Sequence, residues 1–157
     1  MHIFLTADLA TPTNFQDYGQ VILVTPDGKS FDHKDAQLVL SPGTPRFYLM
    51  RLSSTGRQFH RITRHQRCTQ CLGSLGGQSW WLGVCPPSLD DRPDRSQLKV
   101  FEIPGDRFIK LHQGTWHAGP LFESEFIDFY NLELSDTNTA DHFTHDFLAL
   151  DGVTFGF

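Results

Sequence analysis

The chain is short of positive charge, poor in cysteine, and without any long apolar run. Thirteen Lys and Arg stand against 18 Asp and Glu in 157 residues, a formal net charge of −5 with the eight histidines neutral. No broad cationic face is available for phosphate backbones or anionic lipid, so nucleic acid and membrane surfaces are poor partners. No apolar run approaches the roughly 18 residues needed to cross a bilayer, and the opening MHIFLTADLATP lacks the basic start and apolar stretch of a secretory signal. A soluble, cytoplasmic protein is the expectation. Three cysteines, Cys68, Cys71 and Cys85, are an odd count and a poor disulfide framework, so reduced thiols are expected. Helix formers are nowhere kept at 3.6-residue spacing without a Gly, a Pro or a β-branched run, which argues against a helix bundle.

What is abundant is aromatic. Fourteen Phe, three Tyr and three Trp pack well on a pleated surface, while nine Pro and 13 Gly interrupt the chain at short intervals. The length suits one domain over residues 1–157, and the pattern predicts an all-β plan, a sandwich or barrel. Thr11 to Gly19 reads as one short N-terminal helix, with a hydroxyl cap, Pro12 in the first turn and Gly19 as the left-handed exit. Strands are expected at about 21–24, 46–52, 57–65, 69–72, 79–85, 97–103, 107–112 and 122–134. Residues 135–144 are polar and read as irregular.

Two stretches concentrate reactive side chains. In the first, from Phe59 to Cys71, strand alternation puts His60 and His65 on opposite faces, so both cannot enter one cavity. With Gln66 to Cys68 as a turn, Gln70 on the returning strand approaches His65 across the pair. In the second, from Leu111 to Leu121, Gly114 permits a bend that lets His112 and His117 face one pocket, with Trp116 as an apolar wall. Converging imidazoles suit either a metal site or acid–base chemistry near neutral pH. Cys68-x-x-Cys71 lacks a second pair to complete a zinc site, and buried thiols on a hairpin explain it better.

The ordered set Phe15-Gln16-Asp17-Tyr18-Gly19-Gln20-Val21-Ile22, His60-x4-His65-x4-Gln70, and Leu111-His112-Gln113-Gly114-Thr115-Trp116-His117 with Pro120-Leu121 resembles the ureidoglycolate lyase family. Asp90, Pro93-Asp94, Leu98 and Asp128-Phe129 match as well, so the resemblance spans about residues 15–136. It implies a cupin, a small double-stranded β-barrel, and release of urea from ureidoglycolate to leave glyoxylate in purine and allantoin nitrogen salvage. The implied catalytic residues are His65, His117 and His112. Gln70, Trp116, Arg46 and His60 are assigned to substrate. If a divalent metal sits there, His65, Gln70 and His117 would hold it.

The departures are Thr63, where family members carry Glu, and Leu134, where Arg would follow the acidic Glu133. Arg46, Arg57 or Arg61 could supply the missing grip on a substrate carboxylate. The competing reading is a cupin that binds a small carboxylic acid without turnover; a zinc protein built on the three thiols is a distant third. Edge strands and aromatic surface point to a homodimer. The enzyme reading requires that His65 and His117 meet inside one hollow roomy enough for a compact anion.

Overall fold

The computed structural model describes residues 1–157, and its regular structure is nearly all strand. In chain order the strands are β1 (His2–Phe4), β2 (Ala7–Leu9), β3 (Gly19–Ile22), β4 (Pro45–Ser53), β5 (Gln58–Phe59), β6 (Arg61–Arg64) and β7 (Gln70–Ser74). They continue with β8 (Trp80–Cys85), β9 (Lys99–Ile103), β10 (Phe108–Leu111), β11 (Trp116–Leu121), β12 (Phe126–Leu134), β13 (Phe143–Asp146) and β14 (Thr154–Gly156). Two short helices, α1 (Thr137–Ala140) and α2 (Phe147–Asp151), lie in the C-terminal part. No helix is long and apolar enough to cross a membrane.

Three sheets form, in the orders β3-β10-β7-β12-β4, β13-β6-β11-β8-β9-β2 and β1-β14-β5. The five- and six-stranded sheets face each other without joining into one closed ladder. Side chains alternate along each strand, and the inward sets interdigitate as one core. Leu72, Ile109 and Phe129 from the five-stranded sheet meet Trp80, Leu82, Phe101 and Ile103 from the six-stranded one, with Phe15 and Tyr18 plugging the end. The opposite face of the six-stranded sheet builds a second core, where Ile62, Val100 and Trp116 are covered by Phe59, Phe147 and Phe155. The all-β architecture fits a cupin.

Several local expectations need correction. Residues 12–18 form consecutive turns, not a continuous helix: Phe15 N–H reaches Thr11 O at 3.1 Å and Gly19 N–H reaches Phe15 O at 3.0 Å, but the intervening bonds are incomplete. Gly19 is not a left-handed exit, since its φ is not positive. Its glycine has another cause, because a Cβ there would lie 1.8 Å from the backbone oxygen of Lys110 in β10. The stretch 57–65 is broken at His60 into two strands belonging to different sheets. β6 and β7 are not a hairpin either; the chain crosses from the six- to the five-stranded sheet over residues 65–69, so His65 and Gln70 face each other across the interior.

Candidate functional site

Beside the segment that carries Phe15 and Tyr18, the inward faces carry polar residues. His65, Cys68, Gln70, Leu111, His112, Thr115 and His117 line one cleft. The loop between β10 and β11 sets its shape. Gly114 has φ +80°, a conformation that excludes most side chains, and its N–H bonds to His65 O at 2.7 Å, tying the two histidine-bearing stretches together. His112 N–H and the Thr115 hydroxyl both donate to Tyr18 O, at 3.0 and 2.7 Å.

The two central imidazoles have ring centroids 5.0 Å apart. His65 donates its Nδ1–H to Asp141 O, and His117 donates its Nδ1–H to Thr115 O at 3.3 Å. Carbonyl oxygens can only accept, so each ring is held in the tautomer that leaves Nε2 with a bare lone pair. Burial pushes the His65 pKa below its ordinary value, against the pull of Asp141 O. Burial, reinforced by His65, brings His117 down to about 3. His117 is therefore neutral at pH 7.

Gln70 is oriented by a buried network. Its amide nitrogen donates to Asn131 Oδ1 and to Glu133 Oε2, each at 3.1 Å, while Tyr48 hydroxyl donates to Glu133 Oε1 at 3.1 Å. With both amide hydrogens used, Gln70 Oε1 is buried and without a partner. A buried acceptor left bare is costly unless something cationic or protonated meets it. Two imidazole nitrogens and one amide oxygen, the latter backed by the Glu133 carboxylate, suit a divalent metal. His65, Gln70 and His117 thus fit the group that the resemblance implies, although no three His, Cys, Asp or Glu donors share one coordination point.

Other residues are placed differently from expectation. His112 lines the cleft, but Lys110 Nζ donates to its Nδ1 at 3.0 Å and its Nε2–H donates to Gln16 O at 2.9 Å. Both ring nitrogens are thus engaged by the protein. Trp116 is not a wall of the cleft: it alternates with His117, packs into the second core beneath the Arg64 guanidinium, and donates Nε1–H to Ser88 at 2.9 Å. His60 lies outside, against Asp146 at 3.0 Å. Arg61, also on Asp146, and Arg57, stacked on Trp81 and Phe157, are likewise remote. Arg46 is exposed on β4, opposite Glu133 in the ladder and stacked over the Tyr48 ring at 3.6 Å, and it does not line the cleft. Thr63 pairs in register with His117, and its hydroxyl is 2.8 Å from that of Thr144.

The hollow is smaller than the enzyme reading requires, since the cleft leaves no interior space for a water molecule. A larger cavity, about 290 Å³, lies elsewhere among Arg92, Arg95, His145 and Asp151. Its Arg92, His145 and Asp151 are already paired with one another. The polar segment 135–144, read as irregular, instead carries α1 and the start of β13, and it packs beside His65. Asp141 caps the N–H groups of Gln66 and Arg67 at 2.8 Å each, and His142 brings its ring to 5.5 Å from that of His65. All three thiols are buried and free; burial pushes Cys71 up to about 11 and Cys85 up to about 12. Neither can serve as a thiolate at neutral pH.

A family model described as ureidoglycolate lyase matches residues 2–149. Proteins described as ureidoglycolate lyase from Escherichia coli, Shigella boydii and Salmonella newport are each 29% identical to this chain over 83 residues, which is 52% of this chain and 50% of theirs. The chain spans about half the length of the curated relatives it matches.

Proposed function

Since the chain belongs to the ureidoglycolate lyase family, we propose that it releases urea and glyoxylate from ureidoglycolate, in purine and allantoin nitrogen salvage. The observation that carries this reading is a set of bare acceptors, Nε2 of His65, Nε2 of His117 and Oε1 of Gln70, turned toward one cleft. Such a set recognises donors, and ureidoglycolate offers a hydroxyl and ureido N–H groups. Arg46, in the register opposite Glu133 and engaged by no ion pair, is the arginine we assign to the substrate carboxylate.

The substrate is a hemiaminal, so its cleavage needs no water, oxidant or reductant. An imidazole Nε2 accepts the hydroxyl proton as the carbonyl forms, the carbon–nitrogen bond breaks, and the same proton is delivered to the departing urea nitrogen. His65, whose ring lies beside the exposed His142, moves the proton, and His117 accepts a hydrogen bond from the substrate. His65, Gln70 and His117 would hold a divalent metal, which would supply Lewis-acid polarisation in place of imidazole basicity. Substrate enters by displacing side chains at the mouth, where His142 is exposed.

We place the reaction in the cytoplasm, which suits three free thiols. We also propose a homodimer. The outer face of the five-stranded sheet exposes Phe47 and Leu49, with Phe47 stacked on Tyr130, along the nine-residue edge strand β4.

The test is incubation of the purified protein with racemic ureidoglycolate, with urea and glyoxylate measured separately and the mass taken by light scattering. Equimolar products from a particle of about twice 17.9 kDa are expected. No turnover with or without added divalent metal overturns the lyase reading, and binding of glyoxylate without turnover identifies a binding cupin. A mass near 17.9 kDa overturns the dimer.

A further inference from the structure

The imidazole cluster contains a third ring that neither the sequence motifs nor the proposed reaction uses. In the ladder between β13 and β6, Thr144 lies opposite Thr63 and Phe143 opposite Arg64. Extending that register by one residue brings His142 opposite His65, on the inward face shared with Thr63 and His117. The ring separations agree: 5.0 Å from His65 to His117 and 5.5 Å from His65 to His142.

These distances have a meaning. A metal–nitrogen bond of about 2.1 Å sets each imidazole centroid about 3.2 Å from a shared ion, so two rings at a tetrahedral angle stand about 5.2 Å apart. His65 and His117 are already at that spacing, with Nδ1 bonded to carbonyls and Nε2 free. His142 stands slightly outside it, and no closed set of three is formed as the side chains lie. It is solvent-exposed, so rotation of its side chain can bring it in.

The position that the family resemblance assigns to a carboxylate is Thr63, whose hydroxyl is engaged by Thr144. A ligand is therefore missing from the set, on the side of the cleft where β13 approaches. We infer that His142 supplies it, giving a divalent-cation site of three imidazoles, His65, His117 and His142, with Gln70 Oε1 as the oxygen donor. All four donors are neutral, and the Glu133 carboxylate behind Gln70 provides the compensating charge. Imidazole-rich sites of this type suit zinc, nickel, cobalt or copper. This inference rests on the metal reading given above, with His142 as the new ligand.

The test is titration of the metal-free protein with Co(II), followed by calorimetry and by visible absorption, for the wild type, His142→Ala, His65→Ala and the surface control His33→Ala. One Co(II) per chain is expected for the wild type and for His33→Ala. His142→Ala should bind about 100-fold more weakly with altered absorption bands, a loss of the size found when coordination is disrupted, and His65→Ala more weakly still. Circular dichroism melts of each variant separate ligand loss from unfolding. Equal affinity and an unchanged spectrum for folded His142→Ala overturn the assignment, as does a wild type that binds no Co(II). If the wild type binds none yet releases urea, this inference fails while the lyase reading stands. His142-dependent binding without urea release has the reverse meaning.

Discussion

His117→Ala should lower kcat/KM for urea release by about 100-fold or more, the cost of removing one positioned hydrogen-bonding group from the transition state. The loss is expected whether Nε2 meets the substrate or an ion, because both uses need the same lone pair. The substitution should also change acid stability, and in a defined direction. An unfolded chain protonates His117 below about pH 6.5, whereas the folded site, where burial and His65 disfavour the charge, takes a proton only near 3. As pH falls from about 6.5 toward 3, protons therefore favour the unfolded chain, and the wild type loses stability over that window. Above 6.5 this effect vanishes. Guanidinium chloride unfolding at several pH values should show a shallower decline for His117→Ala, with the decline from His65 remaining. An active His117→Ala contradicts the mechanism, and an unchanged pH slope contradicts the buried neutral imidazole.

Gly19→Ala should destabilise the protein by about 3 kcal/mol or more, lowering Tm by roughly 10 °C for a domain of this size. The added methyl would lie 1.8 Å from Lys110 O, 2.9 Å from Lys110 C and 3.1 Å from Leu111 Cα, all backbone atoms that no rotamer change can move. Relief requires β3 to lift from β10, which breaks the ladder of Gly19 to Leu111 through Ile22 to Phe108. It also shifts Tyr18 O, the acceptor for His112 N–H and the Thr115 hydroxyl, and so loosens the loop that carries His117. Gly28→Ala is the control, since its Cβ would meet open space. A thermal melt in which Gly19→Ala matches the wild type would contradict the packing of β3 on β10.

Long strands with turn chemistry at both ends were legible in the chain. β4 and β8 fall where alternation and the flanking Pro and Gly place them. The three-residue strands β1, β2 and β14 carry too little periodicity to register, and their partners are distant: β1 pairs with β14, more than 150 residues away. The crossing between sheets at residues 65–69 was also hidden, because a turn-like Gln66-Arg67-Cys68 reads identically in a hairpin and in a crossover. Gln70 reached the site all the same, from the facing sheet.

The site divides in the same way. That His65, Gln70 and His117 converge on one cleft was legible from motif order, and the bend at Gly114 from its place between two histidines. Trp116 was misplaced against a rule already in use, since period-2 alternation sends neighbours Trp116 and His117 to opposite faces. His112 lines the cleft as expected, but spacing does not reveal Lys110 and Gln16, which engage both ring nitrogens. His142 belongs to a polar stretch without pattern; what holds it is Asp141 capping two N–H groups 74 and 75 residues earlier, a contact with no local signal.

Nitrogen-15 NMR of the imidazoles is the most direct measurement of the central proposition, that two rings offer bare Nε2 atoms to one cleft. Spectra of labelled protein at pH 7 should show His65 and His117 neutral and protonated at Nδ1, with both Nε2 resonances moving together when glyoxylate or a divalent ion is added. Protonation at Nε2 in either ring, or Nε2 resonances that ignore every such addition, would contradict the account.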